Sequence, residues 1–149
     1  MTRLALIAAL LAGPAWAGDV CHDIDATLGW QDADFPAGLV QDVRSTGFWS
    51  VEPGLTPAGT QGHGGLDAKA LAARPEARPQ VSASHGALLV RFEVAGAAQE
   101  MEWTRFHGAI QQAGAFNMNV DSIAFRINED DADLADNDGA LTVCFRYID

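Results

Sequence analysis

The sequence predicts a small α+β domain, an antiparallel or mixed sheet carrying one packed helix and closed by a disulfide between its ends. Three observations predict it. Residues 87–94 and 141–148 alternate apolar and polar side chains, the pattern of a half-buried strand. Between them Trp103, Phe106, Ile110 and Ala113 recur at three and four residues, as one stripe of an amphipathic helix does. Cys21 and Cys144, the only cysteines, stand near opposite ends of the chain.

Residues 1–17 read as a secretory signal. Arg3 is the charged start, an apolar run follows from Leu4 to Leu11, and Pro14-Ala15-Trp16-Ala17 places small residues at the cleavage positions. The apolar run, about ten residues, is shorter than the roughly twenty a membrane-spanning helix needs. The expected organisation is a signal peptide over 1–17 and a single exported domain over 18–149, periplasmic or secreted. Cleavage leaves 149 − 17 = 132 residues, enough for a core that does not depend on a disulfide to fold. In an oxidising compartment Cys21 and Cys144 are expected to pair. The alternative of a lipid on Cys21 fits poorly, because Gly18-Asp19-Val20 lacks the aliphatic residue expected three positions upstream. The disulfide loop of 144 − 21 = 123 positions is assigned about 4–5 kcal/mol by the chain-entropy model.

The first half of the exported domain is weakly patterned. Residues 39–43 and 47–51 suggest short strands, and 52–65, rich in Gly and Pro, reads as a loop. Residues 66–74 suit a short helix stopped by Pro75. The second half is clearer, and reads strand, helix, strand, strand. Leu88, Val90, Phe92 and Val94 share one strand face, with Arg91 and Glu93 on the other. A helix is expected over 97–113, with Glu100 and Glu102 at its positive end and Gly114 as its cap. Ile123, Phe125 and Ile127 mark a strand over 120–127, and Leu141, Val143, Phe145 and Tyr147 mark the last one. The acidic segment 128–139, containing Asn137-Asp138-Gly139, suggests a hairpin turn between these two strands. The helix would then cover a sheet face made by Leu88, Phe92, Ile123, Phe125, Val143 and Phe145. Cys144 would lie on the outer face, where Cys21 ties the N-terminal segment across it.

Residues 88–148 contain a strand over 88–94, a helix reading Trp-Thr-Arg-Phe-His-Gly-Ala-Ile-Gln-Gln-Ala-Gly, then Asn-Val-Asp-Ser-Ile-Ala-Phe-Arg-Ile and Leu-Thr-Val-Cys-Phe-Arg-Tyr-Ile. This run resembles the periplasmic ferredoxin-like half-domains of inner-membrane assembly proteins in type II secretion systems and type IV pili. The resemblance implies a scaffolding role in an envelope machine. Those proteins keep an N-terminal membrane helix where this chain has a cleavable signal.

Charge narrows the partners. The formal net charge is −11 and Lys69 is the only lysine, so nucleic acid and anionic lipid surfaces lack the basic patch they need. No catalytic constellation is legible. His22, His63, His85 and His107 have no metal-motif spacing; His63 reads as solvated in its glycine-rich loop and His107 as a boundary residue. Ser84 and His85 are adjacent, which does not make them face one another, and there is no Gly-x-Ser-x-Gly elbow. No cofactor motif appears. Calcium ligands are available in Asp131, Asp133, Asp136 and Asp138. They miss the EF-hand register, and a solvated turn is the plain alternative. Trp30 and Trp49 lie in poorly patterned segments and offer indole faces for a carbohydrate, with core or loop-anchoring duty as the alternative. The leading expectation is a non-catalytic exported module for interaction or scaffolding, with a protein partner. A small-ligand, carbohydrate or calcium-binding protein is the alternative.

Overall fold

Two sheets, rather than one, collect the alternating segments. The computed structural model describes residues 17–34, 39–74, 78–114, 116–117 and 120–148. The elements are β1 (Ala17–Asp25), β2 (Gln31–Asp32), β3 (Leu39–Ser50), α1 (Gly65–Ala72), β4 (Leu88–Val94), β5 (Ala97–Glu102), α2 (Trp103–Ala113), β6 (Phe116–Asn117), β7 (Ser122–Ile127), a 3-10 turn (Leu134–Asp136) and β8 (Asp138–Ile148). The first sheet has the order β1-β8-β3-β6 and the second β2-β7-β4-β5, every neighbour antiparallel. The chain is thus a small α+β fold, with α2 packed against the sheets and α1 short. The expected signal over residues 1–17 lies outside the described residues but for Ala17, which opens β1. Among the described residues no helix is long and apolar enough to cross a membrane.

Alternation puts the core between the sheets. Ile123, Phe125 and Ile127 from β7, Leu88 and Val90 from β4, and Leu141, Val143 and Phe145 from β8 are all buried in one cluster. The Phe125 and Phe145 rings meet across it at 6.2 Å, and Trp103 reaches Phe125 at 6.3 Å. The six residues expected to form one sheet face therefore do share a core. They reach it from two opposed layers.

This corrects the expected hairpin between the last two strands. β7 pairs with β2 and β4, while β8 lies between β1 and β3. The acidic segment crosses from one sheet to the other, and buried amides hold it. The Asn128 side chain, fully buried, donates to the Gln80 and Ser84 carbonyls at 3.0 Å each, and its Oδ1 accepts from the Gln80 N–H. Asn137 donates to the Ala26 carbonyl at 2.8 Å. With these bonds and the ring contacts in place, face-to-face packing satisfies both strands better than a tight turn would.

The predicted helix over 97–113 starts late. Its first six residues are β5, because Ala95 (φ 51°) and Gly96 (φ 75°) are both left-handed, the requirement of a two-residue hairpin. Glu100 consequently pairs with Arg91 across the hairpin at 2.7 Å instead of facing a helix end. Glu102, extended at ψ 146°, is the residue before α2, and Gly114 caps its other end.

The one or two short strands expected over 39–43 and 47–51 are the single strand β3, with its register broken between Val40 and Asp42. Gly47 (φ 98°) lets β3 approach β8 so closely that a Cβ there would sit 2.5 Å from the Ala140 carbonyl oxygen. β1 lies beside β8 as an edge strand, in register from Ala17↔Ile148 to Asp25↔Ala140, and not across its face. Ile24 carries it into the core. Cys21 and Cys144 stand directly opposite one another and are bonded, S–S 2.05 Å.

Candidate interaction groove

The residues picked out by sequence go to separate places. Trp49 is 1 % exposed, and its Nε1–H donates to the Gly86 carbonyl at 2.7 Å. No face of it is open to a sugar, so its expected ligand role is withdrawn. Trp30 is half-buried, and the Arg91 guanidinium lies 4.1 Å from its ring centre, with Arg126 at 5.8 Å. The indole also packs against the buried Ala83, Ala87 and Leu89, so cation–π contact and packing account for Trp30.

The acidic segment is spread out. Asp131 pairs with the buried Arg126 at 2.7 Å, and Arg126 also donates to the carbonyls of Ile127 and Glu129. Asp133 and Asp136 flank and end the 3-10 turn, and Asp138 opens β8. Among the described residues no three His, Cys, Asp or Glu side chains are grouped to hold a metal ion. Holding Arg126 is the work of Asp131 that the structure accounts for.

One histidine departs from the expected exposure. His63 is buried, not solvated: its Nε2 accepts from the Val51 N–H at 3.2 Å. Burial lowers its pKa below the ordinary 6.5, against the opposing pull of Asp67, a backbone hydrogen bond with Thr56, and Glu52. His85 is buried too, its Nδ1 2.7 Å from Arg78 Nη1, and its pKa is lowered by burial and then by Arg78, Arg74 and His63. With Trp49 and Asn128 they form a polar knot joining the end of β3 to the start of β4. His107 stacks on Trp103 with ring centres 5.6 Å apart. His22 meets the Asp34 carbonyl at 2.8 Å. Composition offered no signal for the knot, since histidines in a glycine-rich loop look solvated.

Among the described residues, one open cleft is lined by apolar side chains. α2 lays Trp103, Phe106 and Ile110 into the core. On its flank Ala109 and Ala113 are too small to close against the sheet. The result is an open cleft of about 290 Å³, walled by Phe92 and Met101 from the sheet and by Phe106, Ala109, Ile110 and Ala113 from the helix. Val120 also lines it, and among the described residues no ionisable side chain takes part. The cleft lies beside β5, the terminal strand of its sheet. Val94, on the same strand face as Phe92, extends the apolar surface and is 39 % exposed. Sequence reading missed the cleft because two alanines in a helix look like ordinary helix formers. Its volume is at the small end for ligand pockets, which run to roughly 300–1,000 Å³. That size suits one or two apolar side chains better than a whole cofactor.

Comparisons with protein-family models, with characterised proteins and with solved structures give no match.

Proposed function

We propose that this protein is a non-catalytic, exported interaction module, serving an envelope assembly, and that the cleft between α2 and the β4–β5 hairpin receives apolar side chains of a protein partner. The observation that carries the reading is the lining. A surface cleft with walls of Phe92, Met101, Phe106 and Ile110, and no acid, base or nucleophile among its described lining residues, offers shape and apolar area. The disulfide and the net charge of −11 fit an exported chain. The alternative of a calcium or carbohydrate site has less support, since the acidic side chains are dispersed, Trp49 is buried and Trp30 carries arginines.

The test is a photo-activated cross-linker placed at Ala109, with one at the exposed Thr27 as control, in the exporting cell. The Ala109 probe is expected to yield a discrete protein adduct that disappears when Ala113→Arg fills the cleft. If both probes give the same adducts, the cleft is not an interaction site.

A further inference from the structure

We propose that the partner segment is an extended, basic and apolar peptide, added as a further strand along the free edge of β5. The inference rests on the interaction reading above and supplies its mode. β5 pairs only with β4, and among the described residues no backbone hydrogen bond leaves its other side. The tight turn sets the phase. Val94 and Ala97 flank a two-residue loop, so Ala97, Gln99 and Met101 exchange hydrogen bonds with β4. Ala98 and Glu100 therefore turn their N–H and C=O groups outward, in the spacing an incoming strand needs.

Side chains follow from the same register. Met101 stands opposite Val90 and Gln99 opposite Phe92, and opposed residues share a face. Every second side chain of an added strand would then lie on that face, next to Met101 and over the cleft. Main-chain bonds supply the docking and the cleft reads alternate side chains, as in strand addition generally.

Charge selects the rest of the peptide. Glu93, Glu100 and Glu102 border the edge, and Asp121 holds the hairpin turn through the Gly96 N–H at 3.2 Å. Of the nearby cations, Arg91 is engaged by Glu100 and Trp30, leaving Arg105 on the first turns of α2. The edge contains neither Lys nor Pro, and its charged residues, Glu100 and Glu102, disfavour an acidic strand while admitting a basic one. A second copy of the chain is a poorer occupant than a basic peptide. Antiparallel β5–β5 pairing would set glutamates of the two copies against one another.

The probe is a fluorescent synthetic heptapeptide alternating lysine with valine and leucine, titrated into the disulfide-bonded protein by anisotropy. Saturable binding is expected, with slowed exchange of the Ala98 and Glu100 amides. Affinity should fall about tenfold or more, 1.4 kcal/mol or above, on Ala98→Pro, on Ala109→Arg, or on N-methylation of alternate peptide amides. The methylated peptide leaves the protein untouched, so it decides the matter if Ala98→Pro disturbs the fold. Absence of saturable binding, equal binding of the methylated peptide, or a concentration-dependent dimer in sedimentation overturns strand addition. The Ala109 adduct separates the two readings. Its survival in Ala98→Pro leaves the interaction module standing without strand addition, and its absence from the unmodified protein removes both.

Discussion

β1 and β5 are both edge strands, and the molecule treats them in opposite ways. β1 runs for nine residues and is covalently bonded to its neighbour in mid-strand. Its exposed side is crowded with carboxylates, among them Asp19, held by Arg44 at 2.5 Å and Arg146 at 3.3 Å, and Asp23, which accepts from Thr142. β5 has six residues, alanines at its start and glutamates at 100 and 102, no covalent fastening, and an apolar cleft at its side. Edge strands invite unwanted pairing, and charge and coverage are the usual remedies. One edge is sealed. The other is left open where the helix beside it is least bulky, and that difference locates the candidate site.

Unfastening the sealed edge is expected to have the largest effect. Replacing both cysteines (Cys21→Ser with Cys144→Ser) removes a closure of 123 positions and should lower unfolding free energy by about 2–5 kcal/mol. Urea denaturation measures it. Hydrogen exchange should show β1 opening before the rest, while the lysine–valine–leucine peptide still binds at β5. Loss of peptide binding in the folded variant would mean that the two edges are coupled.

Mild acid probes what joins the sheets. His63 and His85 have folded-state pKa values below 6.5, so folding favours their neutral forms. Their contribution is fully present above 6.5 and is lost as pH falls below it, where the unfolded chain takes up protons first. Melting temperature should therefore drop across that window, and His63→Gln should flatten the drop. Asp19 responds at lower pH. The Arg44 hydrogen bond holds its carboxyl below 3.8, so its contribution persists above that value and is lost only as pH falls through the depressed one. The knot between the sheets should thus loosen before the sealed edge does.

The smallest expected effect falls on the open edge. Gly96 has φ 75° with free space around it, so Gly96→Ala costs only backbone strain, about 1–2 kcal/mol. Thermal melting should register that loss. Exchange of the outward Ala98 and Glu100 amides should speed up, with β1 unaffected.

Much of the core was legible in the sequence. The alternation of Leu88, Val90 and Phe92, the stripe Trp103, Phe106 and Ile110, and the cap at Gly114 all have direct physical signatures, and each is found in the molecule. Residues 97–102 were not legible. Ala-Ala-Gln-Glu-Met-Glu favours helix by intrinsic propensity, and the left-handed pair Ala95 and Gly96 overrode it. Partnership was hidden as well. Asn137-Asp138-Gly139 serves a hairpin or a crossover equally, and only Asn128, bonded to the distant 80–84 segment, decides between them. β1 was obscured by its own acids, which interrupt Val20 and Ile24. The cleft arises from what Ala109 and Ala113 lack, and an absence of bulk has no pattern to read.

The position of β8 bears on how the chain acquires its shape. The last strand is the central partner of the first sheet, with β1 on one side and β3 on the other. Until it arrives, β1 and β3 have no common neighbour to zip onto. A chain synthesised N-terminus first therefore cannot complete this sheet progressively. Before residues 138–148 are made, β3 has only the short β6 to pair with, and the longest-range contacts then close in one late step. During that wait Cys21 meets no correct thiol.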